Sequence, residues 1–335
     1  MCMEKWPGHL FNCNRLRKLV PPLLQGLDYL HAECRVVHTD LKADNIMMGL
    51  GDPSVLDRFV QHQAERPAPR KMPDHHGRII YQSSSEFGEA PTDSVIESAK
   101  ITDIGLAEWG DEQHNGPIQA NAFTAPEVIL TAGWSYPADI WNFGVMLWDL
   151  FENFGLFDAI DTRPNHYQPA QHLGLMISLM GPPPQELLER GSTTATYFDE
   201  NYQFRYPRYL RENLSFENAV TRMRGEDKRL FIDFAKKMIC WLPEERWTAK
   251  QLLEHPWLTE KYLEGNCDPV FELKVDASSP LTDQPKTASR ERLSILHERD
   301  STSRSNSPAP PPMIRRASTS NAASQGLIDA ILARR

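Results

Sequence analysis

The strongest constraint in this sequence is a polar string, His38-Thr39-Asp40-Leu41-Lys42-Ala43-Asp44-Asn45, set between the apolar runs Val36-Val37 and Ile46-Met47-Met48. Short apolar runs on either side of a polar turn read as strand, loop, strand, and polar loops between buried strands often carry chemistry. Ahead of the string, Leu16, Leu19, Leu23, Leu24, Leu27 and Leu30 recur at helical spacing, with Pro21 and Pro22 near the first turn, so 16–32 is predicted to be an amphipathic helix. The string holds three groups that phosphoryl transfer uses. A carboxylate can orient or deprotonate a hydroxyl nucleophile, an ammonium can balance charge on a transferring phosphoryl, and an amide oxygen can ligate magnesium. Asp40, Lys42 and Asn45 fit those roles. Downstream, Asp103-Ile104-Gly105 supplies a second carboxylate, and hard Mg²⁺ prefers carboxylate and phosphate oxygens. Each piece alone is weak evidence.

With 335 residues, 40% of them hydrophobic and 24% charged, the chain fits one large domain plus an appendage, which excludes random disorder. The longest apolar stretch, 140–151, is interrupted by Asn142 and Asp149 and falls short of the roughly 20 residues a membrane span needs. The first ten residues lack the basic and apolar regions of a secretory signal, so an intracellular protein is expected, in cytoplasm or nucleus. Cys2, Cys13, Cys34, Cys240 and Cys267 are odd in number, scattered and free of CxxC pairs, which points to reduced thiols and away from zinc. Residues 274–335 carry ten Lys/Arg against six Asp/Glu, a net +4, and the total of −9 leaves −13 for residues 1–273. A body that acidic repels nucleic acid and favours cationic partners, although such an imbalance can also be plain surface solvation.

Residues 49–99 have little periodicity and read as a long insertion with one helix at 54–64; His62, His75 and His76 within it read as solvated side chains. Regular structure resumes at 99–102. Helices are predicted at 126–130, 137–152, 170–180, 184–190, 225–240 and 248–253, the last continuing toward His255-Pro256-Trp257. The second of these is apolar on most faces and is expected to be buried. From 274 onward Ser, Thr, Pro and Arg dominate, a composition that cannot bury a core, with one short helix possible at 325–333.

Taken in order, H-x-D-L-K-x-x-N at 38–45, D-x-G at 103–105, Ala125-Pro126-Glu127, Asp139-Ile140-Trp141-Asn142-Phe143-Gly144 and Arg246 resemble the protein kinase family. The resemblance covers about 16–258 and implies a mainly α-helical large lobe with short β-hairpins. It also implies that Asp40 is the catalytic base, that Lys42 contacts the γ-phosphate, and that Asn45 and Asp103 hold Mg²⁺ and ATP. Glu127 and Arg246 resemble the family's buried ion pair, and Asp139 the helix-start carboxylate that supports the catalytic loop. The nearer resemblance is to the SR-protein kinases, in their fungal SRPK-like group. Thr39 before the catalytic aspartate, 57 residues between Asn45 and Asp103, and the run APEVILTAGWSYPADIWNFGVMLWDL carry it. That family phosphorylates Arg/Ser-rich basic proteins, which an acidic body would attract. Because Thr39 replaces the cation that binds a phosphorylated activation loop, no switching by that route is expected. Residues 181–224 resemble the insert that the wider group carries after its substrate-lobe helix.

A kinase also needs a small lobe with a glycine-rich strand pair and a strand lysine. The 37 residues ahead of His38 contain no GxGxxG and no such lysine, so most of that lobe is expected to be missing. Phe123-Thr124 stands where relatives carry an aromatic and an arginine, which bears on substrate recognition. The domain plan is therefore a large lobe at 1–273, interrupted by the spacer 49–99, and a disordered tail at 274–335. Two functions remain open: a serine/threonine kinase, here in truncated form, or a catalytically inactive scaffold that binds basic proteins. In the tail, Arg315-Arg316-Ala317-Ser318, Arg304-Ser305 and Ser307-Pro308 resemble phosphorylation sites, and a plain solvated tail is the alternative. The oligomeric state is not readable.

Overall fold

A computed structural model describes residues 11–72, 77–82, 92–152, 154–157 and 167–259. The tail at 274–335, the helix at 325–333, His75, His76, Cys2 and Cys267 lie outside the described residues. The chain enters through helix α1 (Cys13–Ala32), whose start is capped by the Asn12 side chain accepting from Arg15 N at 2.8 Å. It begins three residues before the predicted start, so Pro21 and Pro22 sit in its interior, where each removes an intrahelical hydrogen bond. Burial of Leu16, Leu19, Val20, Leu23, Leu24 and Leu27 outweighs that cost. Arg17 on this helix pairs with buried Asp227 and lies over the Trp257 ring, 5.5 Å from its centroid.

After α1 come β1 (Val36–Val37), β2 (Ile46–Met47), α2 (Ser54–Glu65), α3 (Asp93–Ile96), β3 (Lys100–Ile101) and β4 (Glu108–Trp109). β1 and β2 flank the polar string as expected, yet they do not pair with each other. β1 pairs antiparallel with β4, Val36 opposite Trp109, and β2 pairs antiparallel with β3, Ile46 opposite Ile101. These two ribbons lay the loop 38–45 against the loop 102–107.

The remainder is helical: α4 (Pro126–Leu130), α5 (Pro137–Phe151), α6 (Pro169–Met180), α7 (Gln185–Arg190), α8 (Thr194–Tyr197), α9 (Phe216–Ala219), α10 (Gly225–Lys236), α11 (Ala249–Leu253) and α12 (Pro256–Thr259). α5 is buried on nearly every face, as its sequence requires, and forms the axis of the core. A bidentate pair, Arg246 Nη1 and Nη2 to Glu127 Oε1 and Oε2 at 2.7 Å each, ties α4 to the loop after α10, with both side chains almost wholly buried. Losing either partner would strand a buried charge at a cost of about 3–5 kcal/mol. α10 ends at Lys236 rather than 240, because the Cys240 and Trp241 carbonyls turn toward the Arg246 guanidinium. Helix α2 ends within one residue of its predicted boundary. Cys34 and Cys240 are free as expected. Cys13 is disulfide-bonded, a departure that an odd cysteine count allows.

Candidate active site

The loop 38–45 is held from below by one carboxylate. Asp139, in the first turn of α5 and fully buried, accepts from His38 N at 2.6 Å and Thr39 N at 2.9 Å, and lies 2.9 Å from His31 Nε2 at the end of α1. A carboxylate in the first turn of a helix also faces the positive end of the helix dipole. Thr39 needs this grip, since its φ of 69° is costly for a β-branched residue. Its hydroxyl donates to Leu106 O at 2.8 Å, and His38 Nε2 donates to Thr102 O at 2.9 Å. With Nε2 protonated, His38 Nδ1 is free to accept from Asp40 N, at 3.3 Å. The second polar loop is therefore pinned on both sides of Asp103.

Asp40, Lys42 and Asn45 converge on this platform. Lys42 Nζ donates to both Asp40 oxygens at 3.0 and 2.8 Å, and Asn45 Nδ2 donates to Asp40 O at 2.8 Å and Asp40 Oδ2 at 3.2 Å. The Asp40 side chain is 15% exposed and that of Lys42 27%, so the cluster is ordered yet reachable. Asn45 O accepts from Thr102 N at 2.9 Å and Thr102 Oγ1 at 3.0 Å, which places Asn45 beside the start of the Asp103 loop.

The donor set fits a hard divalent cation. Both Asn45 amide hydrogens are used, so its Oδ1 remains as an acceptor. Asp103 is exposed, takes the left-handed conformation at φ 64° and ψ 60°, and among the described residues its carboxylate has no competing hydrogen bond. A Cβ at position 105 would sit 3.4 Å from Asp103 Oδ1, so glycine there keeps the space beside the carboxylate clear. Carboxylate and amide oxygens are the ligands magnesium prefers.

A sequence profile of the protein kinase domain matches residues 90–258. This chain belongs to the protein kinase family. A serine/threonine protein kinase of Aspergillus fumigatus is 35% identical over 243 residues, covering 72% of this chain and 57% of its own length. Serine/threonine-protein kinase SRPK of Physarum polycephalum is 28% identical over 253 residues, covering 71% and 59% respectively. Dual specificity protein kinase lkh1 of Schizosaccharomyces pombe is 28% identical over 262 residues, covering 75% and 33%. The kinase is thus SRPK-like, and it spans under two thirds of the length of these relatives. A crystallised kinase domain shares its fold, with a TM-score of 0.53 at 22% identity over 74% of this chain and 67% of that one. Protein kinases as a family use ATP and Mg²⁺.

Sequence reasoning did not find every residue that shapes this kinase's site. His31 was hidden because its contact to Asp139 spans 108 residues. Gln119, at φ 73°, accepts from Ala125 N at 2.8 Å and donates to Ala138 O at 2.9 Å, joining the segment before α4 to α5; no local pattern signals this. Thr124 is buried, its hydroxyl turned back toward Ala120 O and Asn121 O, and Asn142 Nδ2 donates to Phe123 O at 2.7 Å.

Proposed function

We propose that this kinase uses the loop 38–45 to phosphorylate serine and threonine in Arg/Ser-rich basic proteins. The convergence of Lys42 and Asn45 on the Asp40 carboxylate is the observation that carries the reading. Asp40 accepts or orients the proton of the attacking hydroxyl; Lys42, already beside it, balances charge on the phosphoryl in flight. Asn45 Oδ1 and the Asp103 carboxylate would hold the metal. Mg-ATP supplies the phosphoryl group and the Lewis acid that neutralises its oxygens. The charge of −13 over residues 1–273 supports a cationic substrate. Residues 1–273 act as the large lobe, with 49–99 as a spacer and 274–335 as a tail. Among the described residues, no helix is long and apolar enough to cross a membrane.

The test is phosphate transfer from labelled Mg-ATP to an Arg-Ser repeat peptide by the purified chain and its Asp40→Ala variant. Transfer that falls by about 10²–10⁴-fold in the variant, the usual share of a positioned base, would support the catalytic reading. Equal silence from two folded proteins would overturn the catalytic reading and leave a scaffold that binds basic proteins, whose peptide affinity is then the quantity to measure.

A further inference from the structure

The described residues of the insertion 49–99 are exposed in a way that the other described residues are not. Of the twelve large hydrophobic side chains exposed among the described residues, six lie within it: Leu56, Val60, Met72, Ile79, Ile80 and Tyr81. Four of these sit on a short antiparallel ribbon. Arg70 bridges Tyr81, Lys71 N donates to Ile80 O at 2.9 Å, and Gln82 N donates to Pro69 O at 2.8 Å. In this register Arg70 and Tyr81 form a non-hydrogen-bonded pair, so their own N–H and C=O groups point outward from the ribbon's two edges. Those groups have no partner among the described residues. Alternation along the strands puts Met72, Ile79 and Tyr81 on the face of Arg70, and Ile80 on the face of Lys71.

Charge says what fits there. The described residues of 66–82 carry Arg66, Arg70, Lys71 and Arg78 and no carboxylate, in a body that is otherwise strongly acidic. Among the described residues, Arg66, Arg70 and Lys71 form no ion pair. Met72 is 87% exposed and Tyr81 56%, so these apolar groups are not spent on the chain's own core. We propose that this ribbon docks an extended acidic segment of a partner protein, which adds as a strand to an open edge, sets carboxylates against Arg70 and Lys71, and covers Met72, Ile79 and Tyr81 with alternate apolar side chains. The inference is independent of catalysis.

The experiment titrates the full chain against a fluorescein-labelled peptide of alternating Glu and Val, with a Lys/Val peptide and single-stranded RNA as competitors of other chemistry. A paired variant, Arg70→Glu with Lys71→Glu, reverses the charge; a second, Ile79→Ser with Tyr81→Ser, removes apolar contact. All four positions are exposed, and circular dichroism verifies that the variants fold. Saturable binding of the Glu/Val peptide, weakened about tenfold or more by charge reversal and by added salt, is the expected result. No saturable binding, equal binding of the Lys/Val peptide, tighter binding of RNA, or indifference to both variants would each overturn the proposal.

Discussion

His172, on α6, is fully buried, its ring edge-on to Phe157 and its Nδ1 2.9 Å from the Tyr167 hydroxyl. Its Nε2 has no hydrogen-bond partner among the described residues, and burial alone pushes the imidazole down to about 3. An unfolded histidine titrates near 6.5, so between these values the unfolded chain carries a proton that the folded chain refuses. Stability therefore falls as pH drops through that window, by about 1.4 kcal/mol per unit. The variant His172→Gln, compared with the wild type by urea unfolding at several pH values, should lose that slope; parallel profiles would show that His172 is not the group responsible. The same scale shows what sequence reveals. Asp40, Lys42 and Asn45 were legible because eight consecutive residues carry them, and the Arg246–Glu127 pair, 119 residues apart, was reachable only through a family pattern. The Thr39 hydroxyl bond to Leu106 O was not legible at all, because it depends on a positive φ that no propensity scale would assign to threonine.

At the scale of elements, two glycines in helices give opposite expectations. In α1 a Cβ at Gly26 would meet Ile101 Cδ1 at 3.7 Å, an ordinary contact, so Gly26→Ala should stabilise the fold by about 0.5–1 kcal/mol through helix propensity. In α5 a Cβ at Gly144 would lie 2.8 Å from Ile239 Cγ1 and 3.0 Å from Met238 Cβ, so Gly144→Ala should cost about 1–3 kcal/mol. Denaturation midpoints of the two variants check both signs. Long helices with a clear apolar period were legible to within a few residues. The pairing of β1 with β4 was not, since two-residue strands have no period to read and their partner is chosen by the loops between them. The ribbon around Arg70 and Tyr81 escaped for a related reason: exposed on both faces, it has no polar and apolar alternation.

For the molecule as a whole, charge is the property that composition predicts best. If the −13 of residues 1–273 draws in a basic substrate, the affinity for an Arg-Ser repeat peptide must weaken with salt, because raising ionic strength from 0.1 to 1 M shortens the screening length from about 10 to about 3 Å. Calorimetric titration at the two salt concentrations should show a loss of about tenfold or more, and a flat response would mean that recognition is local. The antiparallel pairing of Ile46 with Ile101 and Met47 with Lys100 bears on a different property. It brings the two ends of the 57-residue excursion between Asn45 and Asp103 side by side, so the excursion is a closed loop whose ends stay fixed whatever lies between them. Closure entropy grows only with the logarithm of loop length, about 0.6 kcal/mol for each doubling. Evolution can therefore lengthen, shorten or replace this segment almost without thermodynamic penalty, and acquire new attachments there while the geometry around Asp40 stays untouched.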